Sequence, residues 1–198
     1  MDFVDRFLSE SKTIIDRLDR NDIEKMADLL RIVRDRKGRL FFIGVGGGAA
    51  NASHAVNDFR KIAGFEAYAP TDNVAELTAR INDDGWDTAY ANWLEGSRLA
   101  PKDGVFVFSV GGGSLEKNIS ANIVRALDFA RSVGAAVFGV VGRDGGYVRK
   151  TADASVVIPP INPDTMTPQT EAFQALVWHC LISHPKLRKH PTKWESVH

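Results

Sequence analysis

Leu40-Phe41-Phe42-Ile43-Gly44-Val45-Gly46-Gly47-Gly48 is an apolar run that ends in a glycine turn, and Val105-Phe106-Val107-Phe108-Ser109-Val110-Gly111-Gly112-Gly113-Ser114 repeats the pattern. Both runs are continuously apolar, as in parallel strands covered on both faces. A segment that reads as a helix follows each turn. A strand, a glycine turn and a helix N-terminus form an anion-binding device. Glycine lets a ligand approach the backbone closely, and the free N–H groups and helix dipole favour negative charge. Two such turns point to a phosphorylated ligand, although taken alone they also fit turns that are merely tight.

Outward from these turns, strand and helix alternate. The strands are Leu40–Val45, Glu66–Ala69, Val105–Val110, Ala135–Val141 and Ser155–Ile158. Helical spacing covers about Asn51–Ala63, Val74–Ile81, Trp86–Leu99, Leu115–Val133 and Tyr147–Thr151. Pro101–Gly104 is a turn and Pro159–Pro168 a proline-rich loop. Thr167 or Thr170 could cap a last helix through about Ser183. Two amphipathic helices precede the first strand, the second with Asn21 as N-cap, Glu24 three residues on, and Gly38 as its stop. The pattern predicts an α/β fold: a three-layer, doubly wound sandwich with a mainly parallel sheet. Residues 1–198 read as one domain, with 1–37 a helical extension and 184–198 a peripheral tail. Ligands should sit beyond the carboxyl ends of the strands, where both glycine turns lie.

The 198 residues carry 25 Lys+Arg and 25 Asp+Glu, and zero net charge argues against bulk binding to nucleic acid or anionic membranes. No apolar run approaches a membrane span, and the N-terminus has no signal-peptide core. The single cysteine, Cys180, fits a reducing, cytoplasmic compartment, and its apolar neighbours suggest a packed core thiol. Trp86, Trp93, Trp178 and Trp194 read as packing residues, and His184, His190 and His198 carry no assigned role.

The first turn is a weak dinucleotide fingerprint, with Ala49 at the third glycine position and Glu66 near the expected acidic position; neither turn is followed by a Walker lysine. His54 and Asp58, four apart, share one helix face and make half a site for Zn²⁺ or another divalent ion. A surface His/Asp pair is the blander reading. Glu171 and His179 lie about 80° apart around the last helix. If the two helices meet, four ligands converge. Ser109 and Ser114 flank the second turn and could bond phosphate beside backbone N–H groups. Asn82-Asp83-Asp84-Gly85 is a polar turn, either a helix stop or a ligand contact. Arg60 and Lys61 read as a solvated helix face.

Together these residues resemble the sugar isomerase (SIS) domain, and within it the phosphoheptose isomerases. The family's G-N-G-G-S turn and H-F-A-x-E helix are matched by Gly44-Val45-Gly46-Gly47-Gly48 and His54-Ala55-Val56-Asn57-Asp58. Its S-N-D segment resembles Ile81-Asn82-Asp83, and its S-T-S-G-N-S phosphate loop resembles Ser109-Val110-Gly111-Gly112-Gly113-Ser114. Its G-x-x-G-G turn matches Gly142-Arg143-Asp144-Gly145-Gly146, and its last-helix glutamine and histidine fall on Glu171 and His179.

The resemblance implies an aldose–ketose isomerase converting sedoheptulose 7-phosphate to glycero-manno-heptose 7-phosphate. It implies one Zn²⁺, or another divalent metal, per site, held by His54, Asp58, Glu171 and His179. Asp58 is the implied base and His179 the opposing acid/base. Gly46, Gly47, Gly48, Asn82, Asp83, Ser109, Gly111, Gly112, Gly113, Ser114 and Glu171 are the implied substrate contacts. A homo-oligomer is implied too, a tetramer with sites between subunits, and the N-terminal helices suit such an interface. The chain departs from the pattern at Asp58 for glutamate, Glu171 for glutamine, Gly48 and Gly111 for serines, and Val110 for threonine. The lost hydroxyls open the alternative of an isomerase of a different sugar phosphate, and the resemblance to SIS-domain proteins that are binding modules or adaptors opens that of a non-catalytic sugar-phosphate-binding or adaptor protein.

Overall fold

The computed structural model describes residues 2–191. Two helices, α1 (Phe3–Arg17) and α2 (Arg20–Asp35), lead into β1 (Arg39–Gly44) and α3 (Gly47–Lys61). Then come β2 (Glu66–Tyr68), α4 (Val74–Asp84), α5 (Ala89–Gly96) and β3 (Gly104–Ser109). The chain continues through α6 (Ala121–Val133), β4 (Ala136–Val141), α7 (Gly146–Thr151), β5 (Ala154–Val157) and α8 (Met166–Ser183). The sheet is parallel throughout, in the order β2-β1-β3-β4-β5. The order reverses between β1 and β3, so a crevice opens at their carboxyl ends, and both glycine turns leave the sheet there.

Alternate strand residues face two cores. Phe42, Phe106, Phe108 and Phe138 face α2, α3 and α8, and the Phe42–Phe106 and Phe106–Phe108 ring centroids lie 5.2 and 5.0 Å apart. Such contacts add about 0.5–1.5 kcal/mol per pair beyond burial. Phe41, Ile43, Val105, Val107, Val137 and Val141 face α5, α6 and α7. At the amino-terminal end of the strands, opposite the glycine turns, Asp103 is fully buried. It accepts from the Arg39 N–H at 2.8 Å and the Ala100 N–H at 3.0 Å, and pairs with the Arg39 guanidinium at 2.7 Å.

Several boundaries differ from the sequence expectation. The helix expected from Leu115 begins at Ala121, because Ser114 and Ile119 exchange backbone hydrogen bonds of 2.9 and 3.0 Å and Asn118 and Ser120 adopt positive φ. The cap of α2 is Asp19, whose carboxylate accepts from the Asn21 N–H at 2.8 Å. Neither Thr167 nor Thr170 caps α8, which begins after Thr165. The Thr165 hydroxyl instead donates to Glu10 of α1 at 2.6 Å. Helix α3 begins four residues early, so Gly47 and Gly48 form its first turn. Helix α4 extends over Asn82 and Asp83.

Cys180 lies on the exposed face of α8, not in the core. That helix mixes polar and apolar residues on both faces, with Gln169, Thr170 and Gln174 buried beside Phe173, Val177, Trp178 and Leu181. The segment after α8 is strapped down rather than peripheral as far as His190. Leu187 is buried, and the Lys189 and His190 N–H groups donate to the Ile62 carbonyl. Trp194, His198 and the rest of the expected tail lie outside the described residues. No helix among the described residues is long and apolar enough to cross a membrane.

Candidate active site

Helices α3 and α8 pack side by side on one face of the sheet and bring three candidate ligands together. Asp58 Oδ2 lies 3.8 Å from His54 Nε2 and 3.8 Å from His179 Nε2. One donor atom from each residue falls within 4.8 Å of the others. The Asp58 side chain is 15% exposed, against 59% for His54 and 48% for His179, so the cluster opens to solvent over its histidines. A separation of 3.8 Å is too long for a hydrogen bond. Two donors that far apart can both touch one ion bound at about 2.0–2.1 Å.

The imidazoles are oriented from behind. His179 Nδ1 lies 2.8 Å from the Ala175 carbonyl. A carbonyl only accepts, so Nδ1 carries the proton, and the lone pair of neutral His179 is on Nε2, facing Asp58. Trp178 is fully buried beneath both rings. Its indole stacks on His179 at 3.4 Å between centroids and meets His54 edge-on at 4.7 Å. Asp58 Oδ1 accepts from Asn57 at 2.8 Å, leaving Oδ2 for the cluster.

Glu171 stands apart from this trio. A Cβ built on Gly47 would collide with its carboxylate, so it lies against the first turn of α3. Asn51 fixes the two helices there, donating to the Glu171 carbonyl at 3.1 Å and to Gln174 Oε1 at 3.0 Å. Gln174, fully buried, donates to the Val140 carbonyl at 3.2 Å. Sequence patterning singles out neither Asn51 nor Gln174, and gives Trp178 only a packing or interface role. The available signal was Gln174, a glutamine on the inward face of α8.

The glycines of the first turn have separate roles. Gly46 has φ +58°, and nothing lies within 4 Å of a Cβ there. A Cβ on Gly48 would fall 2.5 Å from the Phe108 carbonyl oxygen, so no side chain fits. The Tyr90 hydroxyl donates to the Gly44 carbonyl at 2.6 Å and anchors the end of β1. Burial pushes its pKa up to about 12, so it is a neutral donor.

In the second turn Ser109 Oγ accepts from the Gly112 N–H at 3.0 Å, and Ser114 Oγ from the Lys117 N–H at 3.3 Å. Gly112 and Gly113 have φ of +70° and +78°. Their carbonyls accept from the Val148 and Tyr147 N–H groups, docking the turn on α7. Gly111, Gly113 and Ser114 line a cleft of about 790 Å³ together with Lys117, Arg143 and Lys150. Asn82 and Asp83 sit exposed on the last turn of α4, bonded to each other at 2.7 Å, and neither joins the cluster or the cleft.

No family model matches the chain. Phosphoheptose isomerases of Nitratiruptor sp. and Helicobacter hepaticus are each 31% identical to it, over 150 and 164 residues; these cover 73% and 80% of this chain and 74% and 78% of theirs. A lincomycin biosynthesis protein of Streptomyces lincolnensis is 33% identical over 154 residues, 74% of this chain and 56% of that protein, so this chain spans little more than half of that relative's length. The fold matches a phosphoheptose isomerase structure from Neisseria gonorrhoeae with a TM-score of 0.77, 24% identity, and coverage of 91% of this chain and 95% of that one. The chain is therefore an isomerase of sugar phosphates, and it belongs to the phosphoheptose isomerase family of SIS-fold proteins.

Proposed function

We propose that this isomerase interconverts sedoheptulose 7-phosphate and glycero-manno-heptose 7-phosphate at a divalent-metal site, with Zn²⁺ the first choice. The observation that carries the reading is the convergence of His54, Asp58 and His179 without a hydrogen bond among them. Two imidazole nitrogens and a carboxylate oxygen suit zinc chemistry, and three protein ligands leave a position for substrate. Those three residues would hold the ion. Glu171, outside the trio, is assigned to the substrate. Bound there, a divalent metal supplies Lewis acidity to the sugar's carbonyl and hydroxyl oxygens.

The chain's own groups move the protons. In a state where its carboxylate is not ligating the ion, Asp58 would take the proton from the carbon beside the carbonyl. The C–H electron pair becomes the double bond of an enediol, and the proton returns to the neighbouring carbon. His179, with Nδ1 held by Ala175, would relay a proton between the two oxygens only in a state where its Nε2 is not ligating the ion. A second reading gives the base role to Glu171. It is favoured by the position of Asp58 Oδ2, shared between two imidazoles, while the Glu171 carboxylate remains outside the trio.

The reading takes residues 1–198 as one cytoplasmic SIS domain and includes assembly into a homotetramer with sites at subunit contacts. Support comes from Phe3, Val4, Leu8 and Ile15, exposed along α1, and from exposed Leu176 on α8. The lincomycin-pathway relative and the glycines at positions 48 and 111 keep a different sugar phosphate as the alternative substrate. The test is sedoheptulose 7-phosphate in D₂O, followed by NMR. Solvent deuterium should enter at the carbon beside the carbonyl, and Asp58→Asn or Glu171→Gln, whichever removes the base, should abolish it. Binding of the sugar phosphate without exchange in the metal-loaded protein would instead support a non-catalytic role.

A further inference from the structure

The second glycine turn offers an anion only part of its backbone, since among the described residues the Gly111 and Gly113 N–H groups alone of Gly111–Ser114 have no acceptor. Three of its residues lack side chains, and the N–H groups of Gly112 and Ser114 are engaged by Ser109 and Ile119. The first turn of α7 is engaged as well, since the Tyr147 and Val148 N–H groups bond the turn's carbonyls. Charge in the adjoining cleft comes from side chains on three separate segments. Lys117 sits in the reversal between Ser114 and Ile119, Arg143 in the turn after β4, and Lys150 on α7.

None of the three has an ion-pair partner among the described residues. The acids lining the cleft are Glu116 and Asp144, and Asp144 already accepts from the Gly146 N–H at 3.1 Å. Arg143 adopts φ +52°, a left-handed conformation that a non-glycine side chain rarely takes. The cleft is large enough for a phosphate monoester with part of its sugar.

We propose that Lys117, Arg143 and Lys150 bind the substrate's phosphate and act as specificity-determining residues in place of absent hydroxyl donors. This rests on the sugar-phosphate reading above. The cations bind the ground and transition states alike, so they act on KM rather than kcat. Their contribution is screened by salt.

The test uses Arg143→Met/Lys150→Met and the triple variant with Lys117→Met, with Lys102→Met, an exposed lysine in the turn before β3, as control. Calorimetry measures binding of sedoheptulose 7-phosphate and of inorganic phosphate, and kinetics measures turnover across salt concentrations. The double variant should weaken binding of both probes at least about tenfold, as expected for loss of charge-assisted hydrogen bonds, and should flatten the salt dependence. Its kcat should stay within about threefold of wild type, and Lys102→Met should match wild type throughout. Undiminished binding in the triple variant overturns the proposal, as does a wild-type protein that binds neither probe. Normal turnover with unchanged KM in the variants would reject the cationic cleft and leave the isomerase reading standing. Variant-sensitive binding with no wild-type turnover would do the reverse.

Discussion

Gly47→Ala sets two effects of opposite sign against each other. Alanine is favoured over glycine inside a helix by about 0.5–1 kcal/mol, and Gly47 does not have the positive φ that would exclude a side chain. The added methyl would, however, overlap the carboxylate of Glu171. That carboxylate is the far end of a flexible side chain, so it should swing away while the helix stays in place. Urea unfolding should therefore change by no more than about 1 kcal/mol in either direction. The sugar-phosphate isomerase activity should fall at least about tenfold in kcat/KM, equivalent to about 1.4 kcal/mol of transition-state stabilisation. Glu171→Ala alone should lose as much, and Gly47→Ala should cost almost nothing further in that background. A double-mutant cycle then returns a coupling of about 1 kcal/mol or more. Full activity in Gly47→Ala, or strictly additive losses, would refute the placement of Glu171 in the working site.

Position 48 cannot take serine and position 111 can. Gly48→Ser should destabilise by about 1–3 kcal/mol because its Cβ meets the Phe108 carbonyl, whereas Gly111→Ser, with open space around it, should melt as wild type and lower the KM for sugar phosphate. Asp103→Ala leaves the Arg39 and Ala100 N–H groups and the Arg39 guanidinium without their acceptor, and should cost about 3 kcal/mol in urea unfolding with no change in metal content. Hydrogen bonds from Thr165 and Asn162, then the nearby Arg6 charge, hold the Glu10 carboxyl below its ordinary 4.5. Its stabilising effect is therefore full above pH 4.5 and is lost as pH falls through the lower folded value. Hydrogen exchange should show α1 loosening in acid before α8 does, and Glu10→Gln should remove that difference.

The layered α/β architecture was legible because continuous apolar runs over Leu40–Ile43 and Val105–Phe108 mark strands covered on both faces. Helix ends were less so. Nothing local distinguishes Asp19 from Asn21 as the cap of α2, and Thr165 fails to cap α8 because its hydroxyl serves Glu10, far away in sequence. The left-handed conformations of Asn118 and Ser120 are not marked by glycine, so the helical pattern from Leu115 overruns the true start of α6 at Ala121. At the site, the four-residue spacing of His54 and Asp58 was readable from helix geometry. Their meeting with His179 depends on the packing of α3 on α8, which no local pattern encodes. The resemblance implies Glu171 among the metal ligands; in the structure the glycine at position 47 leaves room for its carboxylate against the first turn of α3, a close approach that no local pattern encodes. Cys180 is exposed where its apolar neighbours suggest burial, because polar Gln169, Thr170 and Gln174 share the inward face of α8 while Leu176 and Cys180 face outward, which blurs the periodic signal.

The most direct measurement is metal content against turnover, by elemental analysis and a sedoheptulose 7-phosphate assay on the same preparations. The account predicts one tightly held divalent ion per chain and activity that chelation removes and zinc restores. In Asp58→Ala both should be lost while the fold remains intact by circular dichroism. Full turnover by metal-free protein, or stoichiometric metal retained in the triple variant His54→Ala/Asp58→Ala/His179→Ala, would contradict it.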